Sequence, residues 1–370
     1  MKIKASVLEE QKSQLRFQML DLIESRAKEV RIKMVGSGVC HTDIAHAKNE
    51  FNMKLNTPIV LGHEGAGIVE SIGPGVTKVK VGDHVIISNP YCGVCDECMK
   101  GEQWYCEPGT DGSLHLSGLD YYGTTPFTRR GRPVHTLFQQ SSFAEMIVVH
   151  ENTVTKIDPD IDLKYAGPLS CGLRTGAGYV YNLLKPRPAD WVCVTGAGPV
   201  GLGAMWMARA MGAKTIVLDI NQSRLDMAKE TGADVIINSD GMSEGEMYAA
   251  IRAAADGKGT HFLVETTGVE SVIKASMKQM RGGGQCAEGA VVGGISFDSY
   301  TNDCNDAHTI TFGRMGNVAN EIIIPVMLDL YRRGMFPFDK LITFYPFEHL
   351  QQAMDDSETG RVIKPVVLFD

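Results

Sequence analysis

The stretch Trp191-Val-Cys-Val-Thr-Gly196-Ala-Gly198-Pro-Val-Gly201 runs from an apolar strand pattern through a glycine turn into a helix that Gly212 can end. A glycine triplet with this spacing is weak by itself in a chain with 40 glycines among 370 residues. Here strand, turn and helix follow in the order that places a pyrophosphate on the N–H groups of a helix N-terminus. We therefore predict a dinucleotide-binding turn at Gly196, Gly198 and Gly201.

The sequence around this turn alternates between two periodicities. Residues 191–195 and 215–219 have strand character, whereas residues 199–211 and 224–230 have helical spacing of their apolar positions. Alternation of this kind over 172–313 predicts a parallel, doubly wound sheet with helices on its faces.

The flanking segments have a different texture. Up to about residue 158 the chain is rich in glycine, histidine and short β-branched runs, which predicts strands and loops. A helical pattern over 322–333 is followed by a β-like end over 362–369. We expect this tail to return to the first domain.

Asp219 ends the second predicted strand, 18 residues after Gly201. A carboxylate there can accept hydrogen bonds from the adenosine ribose hydroxyls and repels a 2′-phosphate, which predicts NAD rather than NADP. Asp219 could instead be a strand-end helix cap, and the nearby Arg224, the second candidate contact to the cofactor, leaves some use of NADP open.

Composition describes a globular chain, with 44% hydrophobic and 22% charged residues. The net charge of −8 is spread without a basic block, which argues against a nucleic acid or an anionic membrane as partner. No window reaches the roughly 18 apolar residues of a membrane span, and residues 1–30 lack a leader pattern. We expect a cytoplasmic protein.

Four cysteines lie close together in Cys92-Gly-Val-Cys95-Asp-Glu-Cys98-Met-Lys-Gly-Glu-Gln-Trp-Tyr-Cys106. Four thiolates at this spacing can surround one tetrahedral Zn²⁺. The loop has little apolar surface to bury, so metal binding would supply much of its ordering energy. The alternative, free or disulfide-bonded cysteines, is disfavoured by the compact spacing and by an odd total of nine cysteines.

Cys40, His63 and Cys171 form a second, distributed set. Two thiolates and one imidazole suit a zinc ion whose fourth position stays open for water or substrate. Each residue also has an ordinary explanation, the cysteines as small buried hydrophobes and the histidine as a core residue bonded to a carbonyl. Spacing alone leaves the choice open.

Taken together, the motifs resemble the zinc-dependent medium-chain alcohol dehydrogenases in order and spacing over nearly the whole chain. The motifs are Gly38-Val-Cys-His-Thr-Asp43, Gly62-His-Glu-Gly-Ala-Gly67, the four-cysteine stretch, Cys171-Gly172 and the glycine turn. The resemblance implies an α/β chain, with a GroES-like β-rich catalytic domain over 1–172 and 324–370. It also implies an NAD-binding Rossmann domain, a doubly wound parallel sheet, over 173–323.

The same resemblance implies two zinc ions per subunit, a structural one in the four-cysteine stretch and a catalytic one. The catalytic zinc would be held by Cys40, His63 and Cys171. Glu64 would approach this metal from behind and help to exchange its fourth ligand, and Asp43 would orient His63 through the ring N–H.

The implied reaction is reversible oxidation of an alcohol by hydride transfer to NAD⁺. Thr42 matches the position whose hydroxyl first accepts the alcohol proton. Some members place a histidine five residues after the cysteine; that residue is Ala45 here, and we expect the neighbouring His46 to be structural.

Further positions match cofactor contacts of the family. The resemblance places His41 on the pyrophosphate, Thr175 and Val200 against the nicotinamide ring, and Lys364 on a phosphate.

Residues 140–145, 171–178 and 334–339 look like the aryl-alcohol (benzyl-alcohol) branch, which implies primary aromatic or bulky apolar alcohols as substrates. Ser88, where some relatives carry a bulky residue, would widen the pocket. The segment between Cys106 and Ser141 resembles an insertion of dimeric members and implies a homodimer. An S-hydroxymethylglutathione (formaldehyde) dehydrogenase and a non-enzymatic NAD- and zinc-binding redox sensor remain alternatives, whereas quinone reductases of this superfamily lack the cysteine ligands.

Overall fold

A computed structural model describes residues 1–110, 116–290 and 308–370. The described residues fold into two compact units. The first comprises Met1–Cys171, Ala319–Ile324 and Asp339–Asp370, and the second Gly172–Val318 and Pro325–Phe338. The bounds and roles of the two domains given above stay a prediction.

The described residues form eighteen strands. In chain order they are β1 Lys2–Leu8, β2 Leu15–Leu22, β3 Glu29–Gly38, β4 Ile59–Val60, β5 Glu64–Ile72, β6 His84–Ile87, β7 Phe127–Arg129, β8 Arg132–Thr136, β9 Met146–His150, β10 Val154–Ile157, β11 Trp191–Thr195, β12 Lys214–Asp219, β13 Val235–Asn238, β14 Phe262–Glu265, β15 Gln285–Glu288, β16 Thr309–Phe312, β17 Ile342–Pro346 and β18 Lys364–Leu368.

The α-helices are α1 His41–Lys48, α2 Asp96–Met99, α3 Glu107–Thr110, α4 Leu163–Ala166, α5 Gly172–Gly178, α6 Pro199–Ala210, α7 Gln222–Glu230, α8 Glu244–Ala254, α9 Glu270–Lys278, α10 Asn320–Arg332 and α11 Leu350–Glu358. A π-helix, Tyr179–Leu184, follows α5, and several 3₁₀ turns complete the chain. Among the described residues, no helix has the length and apolar character needed to cross a bilayer.

The first unit contains a closed barrel, ordered β1-β2-β7-β8-β4, and a seven-stranded sheet, ordered β10-β6-β5-β3-β18-β17 with β9 also paired to β3. The C-terminal tail returns to this unit, because β18 runs antiparallel to β3 with Val366 opposite Gly38. Gly38 is also opposite Glu64 of β5. The end of β3 and the starts of β5 and β18 therefore meet at one place in the sheet.

The second unit is built on six parallel strands in the order β13-β12-β11-β14-β15-β16. This is the doubly wound arrangement with a dinucleotide crevice at the carboxyl ends of the strands, which confirms the predicted fold class. The glycine turn is sterically required, since a Cβ on Gly201 would lie 1.8 Å from the carbonyl oxygen of Gly196. Gly196 itself has φ +92°, a conformation that favours glycine.

Candidate active site and zinc centres

Asp43 is fully buried in the first turn of α1 and ties together two segments of the first unit. Its Oδ1 accepts hydrogen bonds from the ring Nδ1 of His63 at 2.9 Å and from the backbone N–H of Gly62 at 3.0 Å. Its Oδ2 accepts from the backbone N–H of Cys40 at 3.3 Å. The carboxylate therefore holds the proton of His63 on Nδ1 and leaves Nε2 as a lone-pair donor.

The residues predicted to hold the catalytic zinc lie close together in the structure. One ligand atom from each of Cys40, His63, Glu64 and Cys171 lies within 4.8 Å of the others. The sulfurs of Cys40 and Cys171 are 3.9 Å apart, against about 3.8 Å expected for two thiolates on one tetrahedral zinc and about 2.05 Å for a disulfide. His63 Nε2 is buried and has no hydrogen-bond partner among the described residues. An orphaned imidazole nitrogen beside two thiols fits a zinc ion.

The residues of this set affect one another's pKa values. The hydrogen bond between the two sulfurs lowers the pKa of Cys40 well below its usual value and raises the pKa of Cys171 well above it, so one proton is shared. Burial opposes charge on His63, but Asp43 and Cys40 outweigh burial and raise its pKa. A cation at the centre of this set would displace the proton shared by the two sulfurs and favour the ring form of His63 with a free Nε2 lone pair.

Lys364 is buried and pairs with Glu64. Its ammonium group is buried, donates to both carboxylate oxygens of Glu64 at 3.0 and 2.9 Å, and donates to the carbonyl oxygen of Val39 at 3.2 Å. These contacts use its three N–H donors in this arrangement, and the phosphate contact of Lys364 stays a prediction. Its position behind Glu64 results from the pairing of β18 with β3.

Glu64 therefore stands between the cysteine and histidine set and a buried cation. Burial raises the pKa of Glu64 to about 7, and the charge of Lys364 works in the opposite direction. A carboxylate held from behind by Lys364 is kept from swinging freely toward the ligand set. This arrangement is compatible with the predicted role of Glu64 next to a metal.

The four-cysteine stretch forms a compact lobe whose sulfurs all lie within 4.8 Å of one another. Cys92 Sγ is 3.9 Å from Cys98 Sγ, again the separation of two ligands on one zinc. Backbone N–H groups point at two of the sulfurs, from Cys95 to Cys92 at 3.3 Å and from Cys92 to Cys106 at 3.2 Å. No side chain from 91 to 105 is fully buried, so the lobe has no apolar core of its own.

Five of the predicted cofactor residues of the second unit line one cavity of about 600 Å³. Its walls include Gly196, Gly198, Val200, Asp219 and Arg224. A Cβ on Gly198 would meet nothing within 4 Å, so the space beyond the start of α6 is open. Gly201 sits beneath, in the first turn of that helix. The cavity and the exposed helix start fit a dinucleotide.

Asp219 is the acidic group of this cavity. Its Oδ2 accepts from the backbone N–H of Ala197 at 2.6 Å and its Oδ1 from that of Asn221 at 2.8 Å. Each oxygen keeps a further lone pair for a ligand hydroxyl. The Nε of Arg224 is buried without a hydrogen-bond partner among the described residues, so a cationic group also borders the cavity.

Three further residues with predicted roles in catalysis or cofactor binding are exposed or half-buried. His41 starts α1 with its side chain 73% exposed, 3.9 Å from a carboxylate oxygen of Glu50. Thr42 is half-buried in the same turn. Thr175 is half-buried in α5 of the second unit.

Phe138 is a residue that the sequence reasoning missed. Its ring meets the ring of His63 edge-on at 5.3 Å and that of His46 at 5.7 Å. The buried His46 also packs on Phe51, which agrees with a structural role. Phe138 has φ +52°, unusual for an aromatic residue, and no local sequence signal points to this conformation.

A two-cysteine, one-histidine cluster, a four-cysteine lobe and a doubly wound dinucleotide fold together fit a zinc-dependent dehydrogenase. Residues 26–159 match the alcohol dehydrogenase GroES-like domain, and residues 199–315 match the zinc-binding dehydrogenase family. The chain belongs to the zinc-dependent medium-chain alcohol dehydrogenases.

Named relatives extend over the full chain. A geraniol dehydrogenase from Castellaniella defragrans is 36% identical, with 99% of this chain and 97% of that protein covered. The crystal structure of a benzyl alcohol dehydrogenase from Acinetobacter calcoaceticus is 36% identical, covers both chains completely and has a TM-score of 0.93. That of an alcohol dehydrogenase zinc-binding domain protein from Burkholderia ambifaria is 33% identical over 100% and 99% of the chains, with a TM-score of 0.94.

We expect Asp43→Asn to weaken zinc binding at the cysteine and histidine set by about 10- to 100-fold, because the amide carries no charge to hold the Nδ1–H of His63. Competition with a chromogenic chelator measures the affinity. Asp240→Asn, at an exposed carboxylate, serves as the control. Equal affinities of Asp43→Asn and the unmodified protein would contradict the orienting role.

Proposed function

We propose that this protein is an NAD-dependent zinc alcohol dehydrogenase that oxidises primary aromatic or bulky apolar alcohols to aldehydes, reversibly. The observation that carries the proposal is the set of Cys40, His63 and Cys171, with an orphaned Nε2 and two sulfurs at zinc-ligand separation. Three protein ligands are typical of a catalytic zinc that keeps a position for substrate.

We assign separate roles in the reaction to several residues of the first unit. Zinc, when bound, supplies a Lewis acid that lets an alcohol lose its proton near neutral pH. Cys40, His63 and Cys171 would hold the metal, and Asp43 fixes the ring of His63. The hydroxyl of Thr42 would accept the alcohol proton and pass its own proton on to water. Glu64, restrained by Lys364, would lie next to the metal.

The apolar substrate class is supported by two side chains of the first unit and by the relatives. Phe138 presents an aromatic ring beside His63. Ser88 is small and fully buried, with its hydroxyl 3.5 Å from the carbonyl oxygen of Ser170. Burial of a phenyl ring against apolar side chains contributes about 2–3 kcal/mol of binding. The similarity to a geraniol and a benzyl alcohol dehydrogenase supports the same class.

The cofactor is proposed to be NAD, bound at the cavity of the second unit. The turn residues and the start of α6 receive the pyrophosphate, while Asp219 accepts the ribose hydroxyls. Val200 and Thr175 pack against the nicotinamide, and Arg224 borders the adenosine end. His41 is proposed to reach the pyrophosphate.

We expect Asp219→Asn to raise the use of NADP relative to NAD by about tenfold or more, because it removes the charge that repels a 2′-phosphate while keeping an oxygen acceptor. The measurement is the ratio of kcat/KM for the two cofactors with one alcohol. Asp226→Asn, at an exposed position of α7, is the matched control. An unchanged ratio in Asp219→Asn would remove the basis of the NAD assignment.

The function is tested by NADH formation from NAD⁺ with benzyl alcohol, cinnamyl alcohol, geraniol, ethanol and S-hydroxymethylglutathione in parallel. We expect the aromatic and terpenoid alcohols to be preferred, and a zinc chelator to abolish turnover. Activity confined to the glutathione adduct would assign a formaldehyde dehydrogenase instead. Two bound zinc ions without turnover of any alcohol would favour a redox sensor.

We also propose a cytoplasmic homodimer with two zinc ions per subunit. Light scattering of the purified protein gives the oligomeric mass, and elemental analysis gives the zinc content per chain. A monomeric mass or a single zinc ion would contradict these assignments.

A further inference from the structure

Two glutamates are buried side by side in the second unit. Glu265 ends β14 and Glu288 ends β15, and the register of these parallel neighbours places the two residues opposite each other. Their exposed fractions are 0% and 4%. Both lie at the carboxyl edge of the parallel sheet, the edge at which this fold binds ligands.

The two carboxyl groups have unequal surroundings. Glu265 Oε1 accepts from the hydroxyl of Thr195 at 3.0 Å and from the N–H of Thr267 at 2.9 Å, and Oε2 accepts from the N–H of Gly268 at 3.0 Å. Glu288 Oε1 accepts from the N–H of Ala290 at 2.9 Å. These three donors converge on Glu265, whereas the backbone N–H of Ala290 donates to Glu288.

Glu288 is correspondingly the protonated member of the pair. Burial and the adjacent charge of Glu265, which is within hydrogen-bonding distance, raise the pKa of Glu288 to about 8. At neutral pH the Glu288 hydroxyl can therefore donate to Glu265, and a neutral acid beside an anion avoids repulsion between two buried charges.

The pair connects directly to the walls of the dinucleotide cavity. Thr195, held by Glu265, is the residue before Gly196 of the glycine turn. Thr267, also held by Glu265, lines the cavity together with Thr266, whose hydroxyl donates to the carbonyl oxygen of Thr195 at 2.6 Å. Glu265 thus links the ends of β11 and β14, and Glu288 extends the link to β15.

We infer that Glu288 is a positioning residue for dinucleotide binding: its carboxyl proton closes a hydrogen bond to Glu265, and Glu265 in turn sets the positions of Thr195 and Thr267 at the cofactor cavity. This inference rests on the proposed binding of NAD. It assigns to Glu288 no contact with the cofactor itself, so its effect is transmitted through the backbone that Glu265 holds.

The described ionisable groups on the elements packed against this face are few. Cys193 of β11 and Cys286 of β15 share the face with the pair and are buried with Ile273 of α9. Burial raises the pKa of Cys193, which stays a thiol. On α9, Lys274 and Glu270 pair with each other at 2.8 Å. Opposite Glu288, β16 presents Phe312, which does not titrate.

The test compares the unmodified protein, Glu288→Gln and Glu288→Ala by NADH fluorescence titration at pH 6.5 and 9.5. Glutamine keeps a donor to Glu265 and an acceptor for the N–H of Ala290 at every pH. We expect NADH binding by the unmodified protein to weaken by about tenfold at pH 9.5 relative to Glu288→Gln, and Glu288→Ala to bind about tenfold more weakly than Glu288→Gln at both values. Glu270→Gln, a control at the partly exposed Glu270, should follow the unmodified protein.

A second readout needs no cofactor. The pKa of Glu288 is higher in the folded state, near 8, than the usual carboxyl value, so the folded protein holds an extra proton between these values and its stability falls as pH rises through that window. Glu288→Gln should therefore gain in Tm over the unmodified protein at pH 9.5 compared with pH 5. The inference would be overturned if the unmodified protein and Glu288→Gln showed the same pH trend in NADH binding and in Tm. It would also be overturned if Glu288→Ala bound NADH as tightly as Glu288→Gln. If the unmodified protein binds NADH at neither pH, the proposed cofactor is wrong. The Tm comparison then still shows whether Glu288 donates a hydrogen bond to Glu265.

Discussion

Replacing Cys171 with serine is expected to reduce the zinc content by one ion per chain and to lower kcat/KM for alcohol oxidation on the order of a thousandfold. The serine hydroxyl is a poor ligand near neutral pH, so the two-sulfur, one-imidazole set would lose a ligand that lies 3.9 Å from Cys40. Elemental analysis of the purified variant and initial rates with NAD⁺ measure the two effects.

Cys193→Ala is the matched control, since Cys193 is a buried thiol in the core of the second unit. It should keep both zinc ions and most of the activity. Full zinc content together with full activity in Cys171→Ser would refute the assignment of Cys171 as a ligand and, with it, the proposed catalytic centre.

The second large effect is expected at the four-cysteine lobe. Cys98→Ser should release the lobe zinc, keep the other zinc, and increase the amide exchange of the lobe by about a thousandfold or more. The reason is that no side chain over 91–105 is fully buried, so the metal and the hydrogen bonds to its sulfurs supply the order. Exchange mass spectrometry of peptides over 92–106 measures the change.

Met99→Ser, at a residue 75% exposed within the same lobe, controls for the removal of apolar surface and should leave exchange unchanged. A Cys98→Ser protein that exchanges as slowly as the unmodified one would mean that the lobe is ordered without metal. In that case the assignment of a structural zinc ion to this lobe would be wrong.

Much of the fold can be predicted because it is encoded locally. The sequence pattern predicts the strand over Trp191–Thr195 with its observed bounds, and the following helix ends one residue before the predicted limit. Strand, turn and helix are specified by side chains a few residues apart, and Gly201 is required by a contact with Gly196 inside the same turn. Local patterns of this kind can be recognised without knowing how the rest of the chain folds.

The contacts around the proposed sites join residues that are far apart in the sequence. Lys364, for which the resemblance predicts a phosphate contact, binds Glu64, 300 residues earlier in the chain. Phe138 reaches His63 from a loop with an unusual backbone conformation. Neither contact leaves a periodic or spacing signal in the sequence.

The parallel doubly wound sheet, the four-cysteine cluster and the chemical types of the candidate ligands can be predicted from the sequence, since each depends on residue identity and short spacing. The contact of Lys364 with Glu64 and the position of Glu288 opposite Glu265 become visible only in the folded chain. These pairings follow from which strands become neighbours and in which register, as β18 pairs with β3 and β15 with β14. Strand order and register are set by the burial of the whole apolar core, which no short stretch of sequence specifies.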